Sequence, residues 1–89
     1  MPNAVHLRVK KIIGQVKNIP AEEITDEQVL TEEIGLDSLS LLEVVVRLEA
    51  EFQTLIPDSE LFRARLRTVE DLTELTARHI ERERMESAG

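Results

Sequence analysis

The side chain best placed to do chemistry is Ser38, in the run Gly35-Leu36-Asp37-Ser38-Leu39-Ser40, which continues as Leu41-Leu42-Glu43. A serine hydroxyl becomes a nucleophile when a base activates it and an oxyanion site completes the machinery. The two histidines, His6 and His79, sit in helical patterns near opposite ends of the chain. Neither a nucleophile elbow nor oxyanion glycines surround Ser38. His79 falls on an apolar stripe, which predicts a packed core histidine, and His6 is expected at the surface. Metal chemistry has as little support. Two histidines lack ligand spacing, and Glu22-Glu23 and Glu32-Glu33 lack the calcium-loop pattern. With no cysteine, disulfides and thiolate sites are excluded and no oxidising compartment is implied. On these grounds alone Ser38 reads as a residue at the mouth of a helix, where serine is common.

Three main helices and one short one must position it. The first spans roughly Ala4 to Lys17, with Asn3 as N-cap and an apolar stripe of Val5, Val9, Ile12, Ile13 and Val16. Pro20 ends that segment. A long acidic connection from Asn18 to Asp37 follows, and a loop of that length in a small domain is pinned or functional. Ile24, Val29, Leu30, Ile34 and Leu36 are its expected anchors. A helical turn is expected over Thr25 to Leu30, and Gly35 gives a flexible joint. The second helix is predicted over Ser38 to Phe52, capped by Asp37, whose carboxylate suits the positive end of the helix dipole. Pro57-Asp58 opens a short third helix near Ser59 to Phe62. The fourth starts at Thr68, which with Asp71 resembles a capping box. Its buried face is Val69, Leu72, Leu75, His79 and Ile80. The charged tail, from about 82 to 89, is expected to fray.

The 89 residues suffice for one domain with a modest core. Only Phe52 and Phe62 are aromatic, so that core must be aliphatic. Apolar runs are too short to span a bilayer, and no secretion signal is evident, so cytoplasmic residence is expected. The net charge of −7 is uneven. From Pro20 to Glu60 there are 12 acidic side chains against one basic, Arg47, while the remainder carries a net +4. An acidic middle argues against nucleic acid and favours a basic protein partner.

The second helix carries more apolar surface than a small bundle needs. At 100° per residue, Leu41, Val44, Val45, Leu48 and Phe52 form one stripe within about a third of the circumference. Leu39, Leu42 and Val46 form another, well over 90° away by the same geometry, bordered by Glu43 and Glu49. Apolar contacts ringed by carboxylates make a partner surface. A broad core face is the competing explanation, and it weighs equally for Leu39 and Leu42; Val46 is expected to be exposed.

The string around Ser38 resembles the acyl carrier protein signature G-[LI]-D-S-[LFI]. The resemblance extends in order along the chain. Glu43 lies five residues after the serine. Leu48-Glu49-Ala50-Glu51-Phe52 is similar to the acidic end of the family's second helix. Ile56-Pro57-Asp58 resembles its lead into the third helix, and Arg67-Thr68-Val69-Glu70-Asp71-Leu72 the start of its fourth. The resemblance implies an all-α four-helix bundle of acyl-carrier type, with three long helices and a short third one, formed by residues 1–89 as a single domain. It implies Ser38 as the attachment point of a 4'-phosphopantetheine donated by coenzyme A, with Asp37 helping the phosphopantetheinyl transferase near its metal ion. The arm brings its own thiol, which gives the absence of cysteine a use. Leu39, Leu42, Glu43, Val46, Glu49 and Glu51 are then the expected docking residues for the transferase and for acyl-loading and acyl-processing enzymes with basic patches.

By this resemblance the domain does no chemistry itself. It presents acyl thioesters to biosynthetic enzymes of fatty-acid, polyketide or related lipid pathways, as a cytoplasmic monomer. A peptidyl or aminoacyl carrier is the nearest alternative, and a helical interaction module without prosthetic group a more distant one. The chain departs from fatty-acid carriers at Ser40, where those usually have an acid, at Arg47, and in a slightly longer segment with Arg63, Arg65 and Arg67. These departures suggest a specialised carrier.

Overall fold

The structure, a computed structural model, describes residues 2–88, with side-chain surroundings for 4–61 and 63–81. It is all-α. Helix α1 spans Pro2–Lys17, α2 Ser38–Phe52, α3 Asp58–Ala64 and α4 Val69–Ala88, and a 3-10 turn spans Ala21–Glu23. No helix among the described residues is long and apolar enough to cross a membrane.

The α1 stripe behaves as its spacing predicts: Val9, Ile12 and Ile13 are buried, with Val5 and Val16 packed against them. The helix starts earlier than predicted. Pro2 takes its first position, where the missing N–H costs nothing, so Asn3 lies inside the first turn rather than capping it. Gly14 has a tertiary task. A Cβ there would sit 2.3 Å from the Ile19 carbonyl oxygen, and the Ile19 N–H donates to the Gly14 carbonyl at 3.0 Å. The bare α-carbon lets the chain fold back tightly as it leaves α1.

The connection from 18 to 37 is pinned. Ile24, Leu30, Ile34 and Leu36 are buried in the main core with Val44, Leu48, Val69 and Leu72. Val29 is half-buried and pairs as an isolated bridge with Thr68. Backbone bonds flank that bridge: Leu30 N–H to Arg67 O at 2.8 Å, and Val69 N–H to Gln28 O at 3.0 Å. The helical turn expected over Thr25 to Leu30 is therefore absent. The Gln28 side chain and backbone close a turn on Thr25, after which residues 28–30 extend to reach the start of α4. Gly35 is more than a flexible joint. Its φ of 86° is left-handed, a conformation glycine adopts without strain.

At the other end of α2, Gln53 adopts a left-handed cap and the Thr54 N–H reaches back to the Glu49 carbonyl at 3.0 Å. A smaller apolar cluster of Val45, Ile56 and Leu75, with Leu41, Leu61, Ala64 and Leu66 around it, seats α3. Helix α4 begins with the expected capping box. Thr68 Oγ1 accepts from the Asp71 N–H, and Asp71 Oδ2 accepts from the N–H groups of Thr68 and Arg67. Thr73 and Thr76 are buried in α4 but donate to the carbonyls of Val69 and Leu72, so neither hydroxyl is left unsatisfied. The backbone stays helical to Ala88, past the point near 82 where the sequence predicts fraying. The segment Glu81-Arg82-Glu83-Arg84-Met85 consists of strong helix formers. Gly89 lies outside the described residues.

Candidate functional site

Ser38 is the first residue of α2 and is exposed. It stands between two fixed points. Upstream, Leu36 is buried and its N–H donates to the Leu30 carbonyl at 2.9 Å. Downstream, Val44, Val45 and Leu48 bury the inner face of α2. Asp37, in extended conformation, places Oδ1 2.8 Å from the Ser40 N–H. That hydrogen bond, with a smaller contribution from the charge of Lys17, holds the Asp37 carboxyl below its ordinary value, so it is ionised near neutral pH. The first N–H groups of a helix have no intrahelical partner. The Ser40 amide is taken by Asp37, and those of Ser38 and Leu39 precede the first intrahelical acceptor. The arrangement is an anchored, exposed hydroxyl next to backbone donors that suit an anion.

Neither histidine joins it. His79 is buried on α4 with Nε2 3.5 Å from Glu60 Oε1, as the core-histidine reading expects. His6 is half-buried rather than simply on the surface, because Asp26 meets both its Nδ1, at 3.3 Å, and Lys10 Nζ, at 3.2 Å. Burial pushes the Asp26 carboxyl up, but the bonds from Lys10 and His6 outweigh it and hold the group below its ordinary value. Among the described residues no three His, Cys, Asp or Glu side chains cluster to hold a metal ion.

The second stripe of α2 faces outward. Leu39 is 78% exposed, Leu42 45% and Val46 59%, so the broad-core explanation fails for all three. The carboxylates expected beside them are present but already engaged. Glu43 Oε2 lies 2.7 Å from Arg47, Glu51 pairs with Arg8 of α1, and Glu49 Oε2 accepts from the Ile56 N–H at 2.8 Å. Glu49 is therefore half-buried and tethers the chain between α2 and α3. Two large apolar residues are exposed without a signal in the sequence, Leu7 of α1, 67% exposed, and Leu55. Leu55, 74% exposed, follows the end of α2. Its neighbours Thr54 and Ile56 are both buried, and alternation in that short non-helical segment turns Leu55 outward.

Comparison with known proteins places this geometry. A sequence profile of the family described as "Phosphopantetheine attachment site" matches residues 7–76. Proteins of that family carry a covalently attached 4'-phosphopantetheine. Among solved structures, the solution structure of the apo doublet acyl carrier protein from prodigiosin biosynthesis matches with a TM-score of 0.70 and 22% identity over 85% of this chain. The match covers 36% of that protein's chain, so the likeness is one of fold over part of its length. The profile runs through the Asp37-Ser38 helix start and over most of the bundle, and by it this chain belongs to the phosphopantetheine attachment site family of carrier proteins.

Proposed function

We propose that Ser38 is the residue that carries the arm, and that the chain is a single carrier domain presenting acyl groups as thioesters to other enzymes. The observation that carries this reading is the exposure of Ser38 at the start of α2, within the stretch the family profile matches. The residues fit the group. Ser38 is exposed, and the amides at a helix start, which lack intrahelical acceptors, suit the phosphodiester. In loading, Ser38 Oγ attacks the pyrophosphate phosphorus of coenzyme A that bears the pantetheine half. The bond to the adenosine bisphosphate half breaks, and the hydroxyl proton passes to a base of the transferase. Asp37, ionised at neutral pH, directly precedes Ser38 and would assist the transferase near its metal ion. Once bound, the arm supplies a terminal thiol that holds cargo as a thioester.

This chain's own part is to hold the tether point rigid and to offer a docking face: Leu39, Leu42 and Val46 flanked by Glu43, Glu49 and Glu51. Partners would be a phosphopantetheinyl transferase and acyl-loading and acyl-processing enzymes with basic patches. Ser40, Arg47, Arg63, Arg65 and Arg67 support a specialised pathway, polyketide, modified lipid or amino-acyl, over housekeeping fatty-acid synthesis. We place the chain in the cytoplasm as a monomer and assign it no reaction of its own. Incubation with coenzyme A and a phosphopantetheinyl transferase should raise the intact mass by one phosphopantetheinyl group, and Ser38→Ala should abolish the gain. An unchanged wild-type mass would leave a helical interaction module as the better reading.

A further inference from the structure

The outward face of α2 is not uniformly acidic, although its sequence makes it look so. Glu49 is spent on the Ile56 amide and Glu51 on Arg8. Glu43 is matched by Arg47, the one base among 12 acids between Pro20 and Glu60. Both members of this last pair are about half exposed, with side-chain exposures of 45% for Arg47 and 51% for Glu43. At 3.6 residues per turn, Leu42, Val46, Leu39, Glu43 and Arg47 follow one another round the helix over about 140°. The guanidinium therefore stands at the edge of the apolar strip, on the side where a partner's charges would approach.

An exposed pair one helical turn apart is weak and opens readily. Arg47 consequently does not lock the face. What it changes is the charge a partner meets. A base reaching for Glu43 must displace Arg47, and then has a like charge beside it. Like charges set against each other at an interface penalise that partner more than others.

We propose that Arg47 is a specificity-determining residue of the α2 docking face. It disfavours surfaces that are basic throughout and selects a partner whose apolar cleft, filled by Leu39, Leu42 and Val46, has a carboxylate on the side facing Arg47. This inference rests on the reading of α2 as the docking face of a carrier loaded at Ser38.

The probe is a phosphopantetheinyl transferase with a basic docking patch, assayed with saturating coenzyme A over a range of carrier concentrations. If the wild-type chain is not loaded at all, the attachment reading fails, and this proposal falls with it. Given loading, Arg47→Gln should lower the carrier KM by roughly 3- to 10-fold with kcat unchanged, the worth of one like-charge contact near water. Arg47→Glu should lower it further, and both gains should shrink at high salt. A KM that is unchanged or raised in both variants overturns the proposal. In a second arm each base of the transferase patch is changed to glutamate in turn. At least one such enzyme should prefer the wild-type chain over Arg47→Glu, reversing the original order. Failure of every one to reverse it overturns the claim that the fitting partner sets a carboxylate against Arg47.

Discussion

Gly14→Ala sets two effects against each other. Helix propensity alone favours alanine within α1 by about 0.8–1.0 kcal/mol. The packing opposes it. The new methyl carbon would lie 2.3 Å from the Ile19 carbonyl oxygen and 3.5 Å from its carbon. That oxygen is backbone and cannot rotate away, and the Ile19 N–H is bonded to the Gly14 carbonyl in the same contact. Relief requires moving the first residues of the connection and loosening that bond. Overpacking of this kind costs about 1–3 kcal/mol, and a hydrogen bond contributes about 0.5–1.5 kcal/mol net. After subtracting the propensity gain, the variant should be less stable by roughly 1–3 kcal/mol. For a domain of this size each kcal/mol shifts the melting temperature by about 4–8 °C. Urea unfolding followed by far-UV circular dichroism reads the difference as a lower midpoint at unchanged slope. A midpoint equal to or above that of the wild type would refute the reasoning, since it would mean that propensity decides and the contact is soft.

Other consequences are as direct. Leu48 is fully buried, so Leu48→Ala should cost about 2–5 kcal/mol; Val46→Ala, on the exposed side of the same helix, should stay within about 0.5 kcal/mol of wild type while raising the transferase KM for the carrier. Equal stabilities for the two would contradict the assignment of faces. Asparagine keeps the capping hydrogen bond but not the charge, so Asp37→Asn should lower the melting temperature only slightly at neutral pH yet lower loading kcat/KM roughly tenfold; normal loading would reduce Asp37 to a cap. Asp26, Asp37 and Asp71 all have carboxyls held below the ordinary 3.8. Their stabilisation is present above that unfolded-state value and is lost as pH falls through the lower folded values. Thermal melts should therefore show a melting temperature that declines below pH 3.8, and one that still rises there would contradict these assignments.

What the sequence made legible were signals that act locally. Asp37 ahead of an apolar run, and Thr68 three residues before Asp71, mark helix starts because capping is settled within one turn, and both caps form. The 3.6-residue period separated Val44, Val45 and Leu48 from Leu39, Leu42 and Val46. It could not decide whether the second group was covered, since that depends on where the other helices lie. Anchors of the long connection were readable as isolated apolar residues in an acidic stretch. Their backbone path was not, because Gln28 bonds to Val69 and Leu30 to Arg67, some forty residues away in sequence. The same limit applies to charge. Composition shows an acidic second helix, whereas only the folded chain brings Arg8 to Glu51 and the Ile56 amide to Glu49. A carboxylate counted as free in the sequence can be occupied in the fold. The tight approach of Ile19 to Gly14 leaves no composition signal beyond a glycine inside an amphipathic helix.

The claim on which the rest depends concerns one hydroxyl, and peptide mapping of the loaded chain tests it most directly. Tryptic cleavage after Lys17 and Arg47 releases a peptide of residues 18–47 that holds both Ser38 and its neighbour Ser40. Fragmentation should place the whole of the phosphopantetheinyl group on Ser38. Its appearance on Ser40, or on any other residue of a chain whose Ser38 is unmodified, would contradict the account.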